Sequence, residues 1–228
     1  MLAIARKEFI SSFKSFKSVV IILFLITVST YTANVLKNKL SITTALSQGG
    51  STYTSAISFL LLLFGFLFVF MISHDVINRE LETQTVRLLV TKISRSKIIL
   101  GKFLGVFLFW AFTILISFIL ISLIAKDWFW IDLITLIIFV TYPIALNILI
   151  STIIVRPTAS LFIAIFISIF LPLLGIYSSL DDSSTMYIFK YILPYYTIIN
   201  QSFLMIIPLI ISFFFIAISI ILFNRKDF

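Results

Sequence analysis

Asp75 to Lys102 reads DVINRELETQTVRLLVTKISRSKIILGK, and it separates two long apolar runs. Nine of the chain's 26 charged residues fall in this island, and six of the nine are basic: Arg79, Arg87, Lys92, Arg95, Lys97 and Lys102. Around it the chain is 61% hydrophobic, 16% aromatic and only 11% charged over 228 residues, where a soluble domain carries about a quarter charged residues. Lipid is therefore the solvent for most of the chain, and the island is its largest water-soluble surface.

Outward from the island, a spanning helix needs about 17 to 25 mostly apolar residues. Six segments meet that length: 18–35, 56–73, 98–125, 131–155, 158–177 and 203–223. Hydrocarbon cannot satisfy backbone amides and carbonyls, and no alternating barrel-type strands occur, so the expected class is an all-α integral membrane protein. An even number of spans puts both chain ends on one side. Lys and Arg number thirteen on the side of the termini and island, against four on the other (Lys37, Lys39, Lys126 and Lys190). The positive-inside rule then predicts a cytoplasmic island with both termini beside it, in the plasma membrane of the cell. The net charge of +8 is strung between apolar runs and so marks topology, with no nucleic-acid partner implied.

Residues 1–17 carry Leu2, Ala5, Phe9, Phe13 and Phe16 at helical spacing, with Lys7 and Lys14 opposite. This pattern predicts an amphipathic helix on the bilayer surface. A cleaved leader is the competing reading of the same basic-then-apolar order, but Tyr31-Thr32-Ala33 places a bulky side chain where cleavage requires a small one. At the other end, 178–202 is expected outside. Within it Met186 to Ile199 is apolar, tyrosine-rich and broken by Pro194, which suits a re-entrant or interfacial piece.

Candidates for chemistry are few. The chain has no cysteine and a single histidine, His74, which leaves little for thiolate, iron–sulfur or zinc chemistry. Glu8, Glu80 and Glu82 are all cytoplasmic in this topology, and Asp132 lies at an outer helix end beside Trp128 and Trp130. Buried charge of the kind a proton-driven carrier uses is thus missing, as are the glycine-rich and lysine motifs of a nucleotide site. Ser160, Ala164 and Ser168 form a small-residue stripe in the fifth span, opposite Phe162, Phe166 and Phe170. Such stripes let helices approach closely, either between spans of the chain or between two copies of it. Pro172 and Gly175 are expected to kink or end that helix. Phe59, Phe64, Phe66, Phe68 and Phe70 crowd the second span, as lipid-facing filler or as an aromatic cavity wall.

Within the island the pattern predicts two short helices, with a break at Ile93-Ser94 and Ser94 as the cap of the next span. Here the chain resembles the permease subunits of type 2 ABC exporters. Arg79-Glu80, Thr85, Leu88-Leu89, Ser94-Arg95 and Gly101-Lys102 stand at the offsets of that family's segment between its second and third spans. Gln84 replaces a usual Gly, and Lys92 a usual Pro. The likeness extends to Arg6-Lys7-Glu8-Phe9 before the first span and to Leu193-Pro194 before the last.

The resemblance implies a membrane subunit without its own ATPase or cofactor, exporting a hydrophobic or amphipathic substrate such as a peptide, toxin or drug. Two ABC ATPase subunits, which bind ATP and Mg, and a second permease copy or paralogue complete the implied assembly within membrane lipid. Arg79, Glu80, Glu82, Thr83, Gln84, Leu88 and Leu89 are the expected docking and coupling surface. The alternative is a non-transporting polytopic sensor whose island docks another cytoplasmic partner.

Overall fold

A computed structural model of the chain describes residues 1–43, 51–180, 187–196 and 205–226. The acidic stretch Asp181 to Thr185 and the start of the last expected span lie outside the described residues. The helices are α1 (Leu2–Lys14), α2 (Phe16–Thr43), α3 (Ser51–Ser73), α4 (Asn78–Glu82), α5 (Val86–Val90), α6 (Arg95–Ala125), α7 (Trp130–Ile153), α8 (Pro157–Leu180), α9 (Tyr187–Ile192) and α10 (Ile206–Asn224). No strand occurs among the described residues. Six helices, α2, α3, α6, α7, α8 and α10, are long and apolar enough to cross a membrane.

α7 lies at the centre and packs against α3, α6 and α10, while α2 and α8 sit outside and keep much of their apolar surface uncovered. Buried hydroxyls add little cost within this bundle. Thr113, Ser117, Thr152, Ser212 and Ser219 each donate to the carbonyl four residues back on their own helix, which satisfies these five hydroxyls without a partner from another helix. The phenylalanines of α3 divide, with Phe66, Phe68 and Phe70 buried and Phe59 and Phe64 exposed.

The helix ends sort into two sets. At one end, Arg95 of α6 donates from Nη1 to the carbonyls of Phe223, Asn224 and Lys226, and Lys226 donates to Thr152 O near the end of α7. A guanidinium on terminal carbonyls satisfies acceptors that a helix leaves open and complements its negative pole. At the other end, Thr54 of α3 donates to Asp132 of α7, and the Trp128 and Trp130 rings meet at 5.0 Å. α6 stops there because Lys126 takes a left-handed φ of 59°. The island, the start of α1 and the end of α10 therefore share one end of the bundle.

Three expectations change. α8 runs through Pro172 without ending, and Gly175 instead makes room for the Tyr195 ring: a Cβ there would stand 2.1 Å from Tyr195 Cδ2. Leu193, Pro194 and Tyr195 are buried, and Tyr195 stacks on Phe66 at 6.0 Å and meets Phe139 edge-on at 5.6 Å. Ser94 does occupy the cap position of α6, but its side chain makes no capping hydrogen bond. Finally, the α1 stripe is split. Leu2 and Phe16 are exposed, whereas Ile4 and Ala5 are buried against α6.

Candidate functional site: a polar tie between the island and four helices

α1 docks on α6 through two glycines. A Cβ at Gly101 would lie 2.9 Å from Ile4 Cβ, and one at Gly105 would lie 2.5 Å from Glu8 Cβ and 2.8 Å from Ala5 O. Small residues four apart thus admit the α1 backbone. Farther along, Phe13 meets Phe109 at 4.8 Å and Phe112 at 5.8 Å. Contacts advance together along both helices, so α1 runs alongside the first half of α6.

That docking brings Glu8 to Lys102, the residue between the two glycines. Lys102 is 1% exposed. Its ammonium donates to Glu8 Oε1 at 3.0 Å and to Val76 O, and it lies 3.0 Å from Glu80 Oε2. An ammonium in a low-dielectric setting is tolerated only with such partners. Here they come from α1, from α4 and from the turn leading into α4. Lys7 adds a looser contact to Glu80 Oε1 at 3.9 Å.

The root of the island is fastened from the other side by α7. Ile77 stands at the cap position of α4 and has no side-chain oxygen to offer. Ser151 of α7 supplies it instead, its Oγ accepting from Ile77 N and Asn78 N at 3.1 Å each. One turn earlier on the same face, Asn147 donates from Nδ2 to Ser73 O at 2.7 Å and Ser73 Oγ at 2.8 Å. α8 contributes Ser160, whose hydroxyl donates to His74 O at 3.2 Å. A displacement of α4 therefore acts on α1, α6, α7 and α8 together.

The outer corner of the island is different in kind. Arg79, Glu82, Thr83, Gln84, Thr85 and Arg87 are exposed, while Ile77 and Val86 are buried as apolar pegs. Thr83 Oγ1 donates to Arg79 O at 2.9 Å and lies 3.1 Å from Thr85 Oγ1, which tightens the corner. Gln84 takes a left-handed φ of 54°. That is a conformation glycine adopts without steric cost, and it falls at the position where the sequence has Gln in place of the resembled family's Gly.

Of the residues expected to form the docking surface, Arg79, Glu82, Thr83 and Gln84 thus share one exposed corner. Glu80 turns its carboxylate inward to Lys102. Leu89 is half-buried against the chain's own core, and the side chain of Leu88 lies outside the described residues. Ser160, Ala164 and Ser168 face inward on α8, and Phe162, Phe166 and Phe170 face outward. Glu8, Lys102, Asn147 and Ser151 were not singled out from the sequence as site residues. Gly101 and Gly105 on either side of Lys102 were the legible signal for the first pair.

A family model for ABC-2 family transporter proteins matches residues 2–181, which include α1 through α8. The chain belongs to the ABC-2 transporter family. The match covers the whole polar tie of this ABC-2 protein, from Glu8 to Ser160. No curated protein matches the chain.

Proposed function

We propose that this chain is the permease subunit of an ABC exporter, forming the membrane pathway for a hydrophobic or amphipathic substrate. Energy comes from separate ATPase subunits, which hold ATP and Mg and press on the α4–α5 corner from the cytoplasm. Two ATPases act on a pair of permeases, this chain with a second copy or a paralogue. Family membership supports the transporter reading. The observation that carries the coupling is the joining of an exposed polar corner, Arg79 to Arg87, to a root tied into α1, α6, α7 and α8 by Lys102, Asn147, Ser151 and Ser160. Force applied at such a corner has four helices to move, whereas a solvated loop would absorb it. The buried Leu193-Pro194-Tyr195 turn among the outer halves of the helices suits the re-entrant piece of that architecture.

The test is co-purification of an ATPase subunit from native membranes. Replacing Gln84 and Arg87, both exposed at the corner, together by Asp is expected to abolish it while leaving insertion intact. Undiminished co-purification would overturn the assignment of the island.

A further inference from the structure

A cavity of about 380 Å³ lies between α3 and α8 at the island's end of the bundle, lined by Leu67, Phe70, Met71, Leu161, Ala164, Ile165 and Ser168, with Lys17 and His74 as its basic members. Its volume falls at the small end of ligand-sized pockets, about 300 to 1,000 Å³. The room exists because Ala164 and Ser168, the small residues of α8, stand where larger side chains would fill it. The opening is lateral, since two of its lining residues, Met71 and Ile165, are 46% and 45% exposed.

The polar groups gather at one pole. Lys17 precedes the apolar body of α2, is exposed, and has no carboxylate partner among the described residues. His74 has a buried Nδ1 without a hydrogen-bond partner, and such an atom calls for one. The nearest acidic residue in sequence, Asp75, lines the separate groove between α1 and the island and contacts Arg79 at 3.9 Å. The cavity therefore has a cation and a hydrogen-bonding ring at its membrane-surface pole and hydrocarbon beyond. That is the polarity of an anionic phospholipid, with a headgroup phosphate at the surface and one acyl chain beneath it.

We propose that this cavity binds an anionic phospholipid from the cytoplasmic leaflet, the phosphate held by Lys17 and His74 and one acyl chain seated over Ala164 and Ser168. The inference is independent of the ATPase assignment. The bound lipid sits one residue from the start of the island and beside the Ser160–His74 hydrogen bond, so its occupancy sets the spacing of α3 and α8 at the island's root.

The experiment is native mass spectrometry of the full chain released from detergent, with phosphatidylglycerol and phosphatidylcholine of identical chains added in turn. Wild type should retain phosphatidylglycerol about tenfold more than phosphatidylcholine. Lys17→Gln combined with His74→Gln should bring the two to parity by lowering only the anionic lipid, whereas Ala164→Leu should lower both. Because Ala164 is buried, Met71→Trp at the exposed rim serves as a second block of the same opening. Equal retention of both lipids by wild type, an anionic preference that survives the headgroup variant, or full retention in both blocking variants would each overturn the proposal.

Discussion

Replacing Lys102 by methionine removes the ammonium and nearly preserves the volume. The Lys102 side chain is 2% exposed, and those of Glu8 and Glu80 are 15% and 16% exposed. Each 3.0 Å contact represents roughly 5 kcal/mol of gross attraction at an effective dielectric of 20. Desolvation of the three charges offsets most of this, and the net cost of removing one partner from a buried pair is about 3–5 kcal/mol. Residual water at the two carboxylates argues for the lower bound, about 3 kcal/mol, which is about a hundredfold in an equilibrium constant.

The chain contains no cysteine, so Ala5→Cys, buried where α1 meets α6, gives a single reporter. Its labelling rate follows local opening and should rise about a hundredfold in Lys102→Met. Adding Glu8→Gln and Glu80→Gln should recover more than half of that loss, because no unpaired charge is then left behind. A labelling rate within twofold of the parent in Lys102→Met, or a triple variant no better than the single, would refute the reasoning.

Gln84→Gly should raise the melting temperature by relieving about 1 kcal/mol of left-handed strain, and Gln84→Val should lower it; the reverse order would show that φ is not the controlling quantity. Gly105→Val places a side chain against Ala5 O at 2.8 Å, a backbone atom that cannot swing aside, so α1 should detach and the Ala5→Cys reporter should label as in Lys102→Met. Gly175→Val should displace Tyr195 and expose residues 193–196 to protease, with an unchanged digestion pattern counting against their seat in the bundle. Burial lowers the Lys226 pKa below its ordinary 10.5, so the folded state binds this proton less readily than the unfolded one. Stability should therefore rise with pH from the lowered value toward 10.5, and Lys226→Met should remove that part of the alkaline rise in a denaturation series.

The spans were legible because membrane insertion imposes length and apolarity together, and α3, α6, α7 and α8 contain or nearly contain the expected segments. The island was legible for a related reason, since charge and short helical pattern stand out against an apolar background. What holds the island was harder to read. Lys102 looks like one more topology-setting cation until Gly101 and Gly105 are seen to admit α1 and deliver Glu8. Asn147 and Ser151 are uncharged, so attention to ionisable groups passes over them, although two polar residues four apart on an otherwise apolar helix face were visible in the sequence.

The α1 stripe was misjudged in part because helical periodicity identifies a face without saying what covers it. Ile4 and Glu8 border the stripe and make closer contact with α6 than its outer members Leu2 and Phe16. Of the two outcomes expected at Pro172, a kink or an end, the end does not occur, since α8 runs on to Leu180. Neighbouring residues can keep such a helix continuous in a packed bundle.

The central claim, that the island receives force from a separate ATPase, is tested most directly by a photo-crosslinking residue placed at Gln84 in native membranes. The account predicts an adduct with a polypeptide carrying nucleotide-binding motifs, and no such adduct from Trp130 at the opposite end of the bundle. An ATPase that co-purifies with the chain yet forms no adduct at Gln84 or its exposed neighbours Thr83 and Arg87 would contradict it.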